Sequence, residues 1–176
     1  EDRLRQPHRG RRLRAQTRTC AGLKGVRSAA MPVYMIERTF ADQLDLTMDF
    51  DSLKKAGTGL GSAGVIVVDD ATCMVEKTLK FSGFFERESC GQCPPCRIGT
   101  QELAILMRKI EDGSGEERDL AKLLQICGFV KGTGFCTLVT GAAVLVQNSL
   151  RLFRQEFEEH IRLKRCPFKP VPVGAE

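Results

Sequence analysis

Three cysteines stand three residues apart in the segment ESCGQCPPCRIGT, residues 88–100: Cys90, Cys93 and Cys96. A Cys-x2-Cys-x2-Cys run makes one loop fold round a compact object and offer three thiolates from one side. Zinc sites usually pair two Cys-x2-Cys knuckles, or a cysteine pair with a histidine pair. Neither is available, because His8 and His160 are the only histidines and the remaining cysteines are isolated. Three clustered thiolates with one distant partner are the arrangement expected for a [4Fe–4S] cube. Pro94 and Pro95 are expected to stiffen the loop, leaving the amides of Gly91, Gln92 and Cys93 to face the sulfurs. A helix is expected from Ile98 onward, with its N-terminal dipole and Arg97 offsetting the anionic cluster.

Five cysteines remain as sources of the fourth ligand. Cys20 lies in a basic arm, and Cys166 follows the last helix in a proline-rich tail. Cys73 starts an amphipathic helix, where a small buried thiol is the commoner role. Cys127 follows Leu120, Leu123 and Leu124 on one helix and can pack in the core. Cys136 instead follows KGTGF and precedes the final helix, whose N-terminal amides can then face the negative charge. The expected metal ligands are therefore Cys90, Cys93, Cys96 and Cys136.

The net charge of +5 narrows the function further because it is localised. Residues 1–20 carry seven arginines against Glu1 and Asp2, and the other residues balance at 20 basic and 20 acidic. Phosphate affinity needs no fold, so a basic arm of this kind is expected to be disordered rather than a nucleic-acid reader. Eight cysteines without a secretory signal or membrane-length apolar run point to a cytoplasmic metal site rather than secreted disulfides.

Residues 22–50 read as weak strands and turns, and 50–57 as one or two helical turns ended by Gly57. The β-branched run Val65–Val68 predicts a buried strand. Its glycines, GTGLGSAG, precede the strand, whereas a dinucleotide fingerprint needs strand, glycine loop and then helix. They are read as a tight connection. From residue 72 the period becomes helical. Thr72 is expected to cap a helix to about residue 87, with Met74, Val75, Leu79 and Phe85 apolar. Leu103, Leu106, Met107 and Ile110 form a second stripe that stops at EDGSGEE. A short helix carries Leu120, Leu123 and Leu124. Val146, Leu150, Phe153, Phe157 and Ile161 then step by 4, 3, 4 and 4 along one last helix. Four helices with short loops predict an antiparallel bundle.

ESCGQCPPCRIGT closely resembles the iron–sulfur motif of the flavoprotein (51 kDa-type) subunit of NADH dehydrogenase, complex I. The same module occurs in NAD(P)-linked hydrogenase and formate dehydrogenase subunits. MDFDSLKKAGTGLGSAGVIVVDDATCMVEKTLKFSGFF looks like the segment leading into the cluster, and LFRQEFEEHI resembles the closing helix. GLKGVRSAAMPV is similar to the strand entering the family's β-grasp (SLBB) domain. The resemblance covers about residues 22–166. It implies an α+β chain: a small β-grasp-like part followed by an antiparallel helical bundle carrying one [4Fe–4S] cluster. The expected divisions are a basic arm at 1–21, a partial β-grasp domain at 22–71, the iron–sulfur domain at 72–166 and a tail at 167–176. The family's fourth cysteine also precedes its closing helix at about the distance of Cys136.

The resemblance implies an electron-transfer module with no catalytic residue of its own. FMN and NAD(H) would enter only through a partner chain, because the family's glycine-rich binding domain has no counterpart here. Other iron–sulfur subunits of the complex are the remaining expected partners, with no membrane insertion and no nucleic acid. The chain is expected in the cytoplasm, or peripheral on the cytoplasmic face of a membrane complex. The competing reading is a structural or assembly protein whose iron–sulfur or zinc site only stabilises the fold. A nucleic-acid binder acting through the arm ranks third.

Overall fold

The computed structural model describes residues 23–28, 34–36, 47, 49–55, 65–69 and 71–169. The basic arm at 1–21 and the glycine run 57–64 lie outside these residues. Among the described residues three strands form one antiparallel sheet of order β2-β1-β3: β1 Leu23–Ser28, β2 Tyr34–Ile36 and β3 Val65–Asp69. Val26 is the hinge of the register, facing Ile36 on one side and Val67 on the other. Helix α1, Phe50–Lys55, lies between β2 and β3 in the chain. The β-branched run therefore does form a strand, and Val68 is buried in the common core.

The larger part is helical: α2 Met74–Glu88, α3 Pro94–Glu111, α4 Glu117–Val130, α5 Leu138–Leu152 and α6 Arg154–Leu163. Helix α5 is the centre. Nine of its residues are buried, and it packs against α2, α3, α4, α6 and β2. A helix apolar on nearly every side must be enclosed in this way. Ser149, its one buried hydroxyl, donates to Leu145 O and accepts from Thr78 Oγ1 of α2 at 2.9 Å. Phe85 and Phe157 are fully buried from α2 and α6. Truncating either to Ala would cost about 3–5 kcal/mol. Among the described residues no helix is long and apolar enough to cross a membrane.

Four details correct the sequence reading. Cys73, not Thr72, caps α2, with its sulfur accepting the Glu76 amide at 3.3 Å. Helix α3 begins at Pro94 rather than Ile98, because proline at the first positions has no amide to leave unpaired. Leu124 is 41% exposed, and the inner stripe of α4 runs through Leu120, Leu123, Cys127 and Val130. The expected last helix is two helices, α5 and α6, broken at Phe153 with φ −124° and ψ 29°. The bend lets Phe153 and Phe157 both reach the core. Among the described residues the bundle thus has five helices after β3, not four.

Candidate metal centre

The cysteine run occupies the turn between α2 and α3, two helices joined by only five residues. Helix α2 ends at Ser89, whose extended backbone (φ −64°, ψ 121°) releases the chain. Gly91 then adopts φ 78°, which only glycine takes without strain, and its amide donates to Ser89 Oγ at 3.4 Å. The Gly91 amide expected at a sulfur is therefore used locally. Cys93 is the N-cap of α3 but makes no capping bond with its side chain, so its sulfur is not consumed by its own helix. Cys96 sits in the first turn, 3.4 Å from Ser89 Oγ. Thr100 Oγ1 donates to Cys96 O at 2.8 Å and fixes that turn.

Cys136 arrives from the other side of the bundle. Gly99 of α3 lies so close to Val130, the last residue of α4, that an added Cβ would sit 2.6 Å from Val130 Cγ1. This approach delivers the α4–α5 loop, residues 131–137, to the start of α3. Thr133 turns the loop by donating both its amide and its hydroxyl to Val130 O, at 3.2 and 2.7 Å. Gly132, at φ 79°, donates to Thr140 Oγ1 at 3.0 Å. The Phe135 amide then donates to Cys93 Sγ at 3.5 Å, so the residue before Cys136 already touches the cysteine run.

Cys93 and Cys96 are buried, whereas Cys90 and Cys136 are exposed; all four thiols are free. No acidic residue occupies the first turn of α3 or of α5. Both helix starts are therefore free of negative charge where an anionic group would need their amides. The donor set is soft, suited to iron–sulfur chemistry or another thiophilic metal. Cys127 is fully buried in the α4 stripe, and burial pushes its thiol up to about 12. That is the packing role expected for it.

The fold also gathers four residues that sequence reasoning left apart. Cys73, Glu111, His160 and Cys166 are all buried, with one donor atom of each within 4.8 Å of the others. Cys73 is buried as expected, but it is not merely an apolar filler. Cys166 is not in an open tail: it is 5% exposed, and Lys169 beyond it pairs with Glu111 at 2.7 Å. The lone His160 opposite two unassigned cysteines was the available signal. A separation of 87 residues between Cys73 and His160 kept it from being read.

Residues 76–160 match the family described as the NADH-ubiquinone oxidoreductase-F iron-sulfur binding region. The chain is 48% identical over 126 residues to an NADH-quinone oxidoreductase subunit of Rhizobium meliloti (strain 1021), covering 72% of this chain and 30% of that protein. It is 36% identical over 152 residues to the mitochondrial NADH-ubiquinone oxidoreductase 51 kDa subunit of Aspergillus niger, covering 82% and 30%. A crystal structure of NAD+-reducing [NiFe]-hydrogenase in the H2-reduced state superposes with a TM-score of 0.68 at 25% identity, over 82% of this chain and 24% of that one. The chain thus spans about 30% of the length of these curated relatives. Residues 76–160 hold Cys90, Cys93, Cys96 and Cys136, and they belong to the NADH-ubiquinone oxidoreductase-F iron–sulfur binding family.

Proposed function

We infer that this chain is an electron-transfer module in which Cys90, Cys93, Cys96 and Cys136 hold one [4Fe–4S] cluster. The observation that carries the ligand set is the Phe135 amide on Cys93 Sγ, which brings the Cys136 loop against the cysteine run. When bound, such a cluster accepts and releases single electrons. The protein's part is to hold four thiolates, to aim the Phe135 amide at one of them, and to exclude water from Cys93 and Cys96.

Reduced flavin is the source of electrons in this reading, with FMN and NAD(H) on a partner chain or domain, and other iron–sulfur subunits are the acceptors. A surface for that partner lies beside the cysteines. Pro94, Pro95, Ile98, Phe129 and Val130 line an apolar groove of about 420 Å³. Phe129 is 74% exposed and Phe135 99% exposed. Aromatic side chains standing clear of a core are costly in water and are typical anchors of interfaces. The sheet of β1–β3 is read as part of the β-grasp domain at 22–71, preceding the iron–sulfur domain at 72–166. In such an assembly the chain works at the cytoplasmic face of a membrane complex or free in the cytoplasm.

The discriminating experiment is anaerobic titration of the visible spectrum. Broad absorbance that bleaches with dithionite and returns on oxidation is expected. A colourless protein holding stoichiometric zinc on these four cysteines would leave the structural reading in its place.

A further inference from the structure

The geometry points to a second metal site, a tetrahedral zinc centre formed by Cys73, Glu111, His160 and Cys166. It is separate from the cysteine run. Cys73 precedes α2 and Cys90 follows it, while Glu111 ends α3 and Cys93 begins it. Fifteen residues of α2 span about 22 Å at 1.5 Å per residue, so the two groups occupy opposite ends of the helix pair. Cys73 and Cys166 also fall outside residues 76–160, the part that matches the iron–sulfur family.

The distances suit zinc. Bonds of about 2.0–2.3 Å to a tetrahedral ion place neighbouring ligand atoms about 3.3–3.8 Å apart. His160 Nε2 lies 3.3 Å from Cys73 Sγ and 3.3 Å from Glu111 Oε2, and Cys73 Sγ lies 3.9 Å from Glu111 Oε2. The tautomer is set as well. His160 Nδ1 is 2.6 Å from Glu156 O, a carbonyl that can only accept, so Nδ1 carries the proton. Nε2 then faces the other three donors. A ring nitrogen held by a backbone carbonyl is the usual support of a zinc-bound histidine. Glu111 is supported too, since Lys169 Nζ pairs with Oε1 at 2.7 Å.

Burial makes the arrangement expensive without an ion. His160 is fully buried, Glu111 is 6% exposed, and His160 Nε2 stands 3.3 Å from both Glu111 Oε2 and Cys73 Sγ. One proton between them can satisfy only part of that set. Zinc would serve all four donors at once. Two thiolates and one carboxylate around Zn2+ leave one negative charge, which Lys169 balances. Loading releases the two thiol protons to solvent. The ion would tie the start of α2, the end of α3, α6 and the segment after α6 into one unit.

The test is metal analysis of the full chain expressed with iron and zinc and handled with its thiols reduced. About one zinc per chain is expected alongside the iron. Cys166→Ser and His160→Gln should each lower bound zinc more than tenfold with the iron content unchanged. Should those variants not fold, Co2+ loaded into the wild-type chain provides the second reading, and thiolate-to-cobalt absorption with tetrahedral d–d bands is expected. A zinc-free wild type, a Cys73–Cys166 disulfide with no metal, or zinc that persists in Cys166→Ser would overturn the assignment.

Discussion

The backbone amide of Phe135 points at the sulfur of Cys93, 3.5 Å away across 42 residues of chain. A sulfur that accepts an N–H bond carries less free negative charge, and hydrogen bonds to cluster sulfurs tune reduction potential. Removing the amide should therefore make reduction harder. Phe135→Pro is expected to shift the potential negatively in an EPR-monitored redox titration. Phe135→Ala keeps the amide and should leave the potential near wild type. An equal shift in both would assign the effect to the ring rather than the amide.

Gly113 ends α3 at φ 80°, and an added Cβ would lie 1.9 Å from Lys164 O. Lys164 itself closes α6 in the left-handed region and donates from Nζ to Gly115 O at 2.7 Å. The two turns approach backbone to backbone and are joined by the Lys164 side chain. Gly113→Ala should cost about 2–5 kcal/mol by urea unfolding, from strain and overlap together. Gly128, inside α4 with nothing within 4 Å of an added Cβ, is the control. Gly128→Ala should stabilise by about 0.5–1 kcal/mol.

Asp119 caps α4 and is nearly buried, accepting from the Glu116 amide at 2.9 Å and from Lys109 Nζ at 2.8 Å. Burial alone would raise its carboxyl, but the Lys109 and Glu116 bonds outweigh burial and hold it below the ordinary 3.8. A lowered folded pKa gives stability that is present above 3.8 and lost as pH falls through the folded value. Asp119→Asn should cost about 1–2 kcal/mol near neutrality. The two proteins should converge as the pH is taken well below 3.8. A difference that stays constant down that acid limb would contradict the ion pair.

The isolated chain is expected neither to oxidise NADH nor to retain FMN, because its glycine run precedes a strand instead of linking a strand to a helix. Yellow protein carrying stoichiometric flavin after purification would contradict this.

Local patterns were the legible part of this chain. Leu103, Leu106, Met107 and Ile110 were spaced for one face, and all four are buried. Val65–Val68 had the β-branching of a strand. The break at Phe153 left no mark, because the steps from Val146 to Ile161 stay helical across it and only tertiary packing bends the chain. The start of α3 was misplaced for a different reason. Pro94 and Pro95 were weighed as loop stiffeners, although the first turn of a helix is where proline costs least. Cys136 was singled out as fourth ligand by elimination, since its neighbours were glycines and a helix start, and the fold brings its loop against Cys93. The group of Cys73, Glu111, His160 and Cys166 was not, because α2, α3 and α6 have to be packed before those donors meet.

We infer that Cys136 completes a [4Fe–4S] site begun by Cys90, Cys93 and Cys96. Counting iron and acid-labile sulfide after anaerobic reconstitution tests it most directly, on the wild type, Cys136→Ser and Cys127→Ser. About four irons and four sulfides per chain are expected for the wild type and for Cys127→Ser, as a cubane requires. Cys136→Ser should fall to three irons or fewer. A full complement in Cys136→Ser with loss in Cys127→Ser would contradict the account.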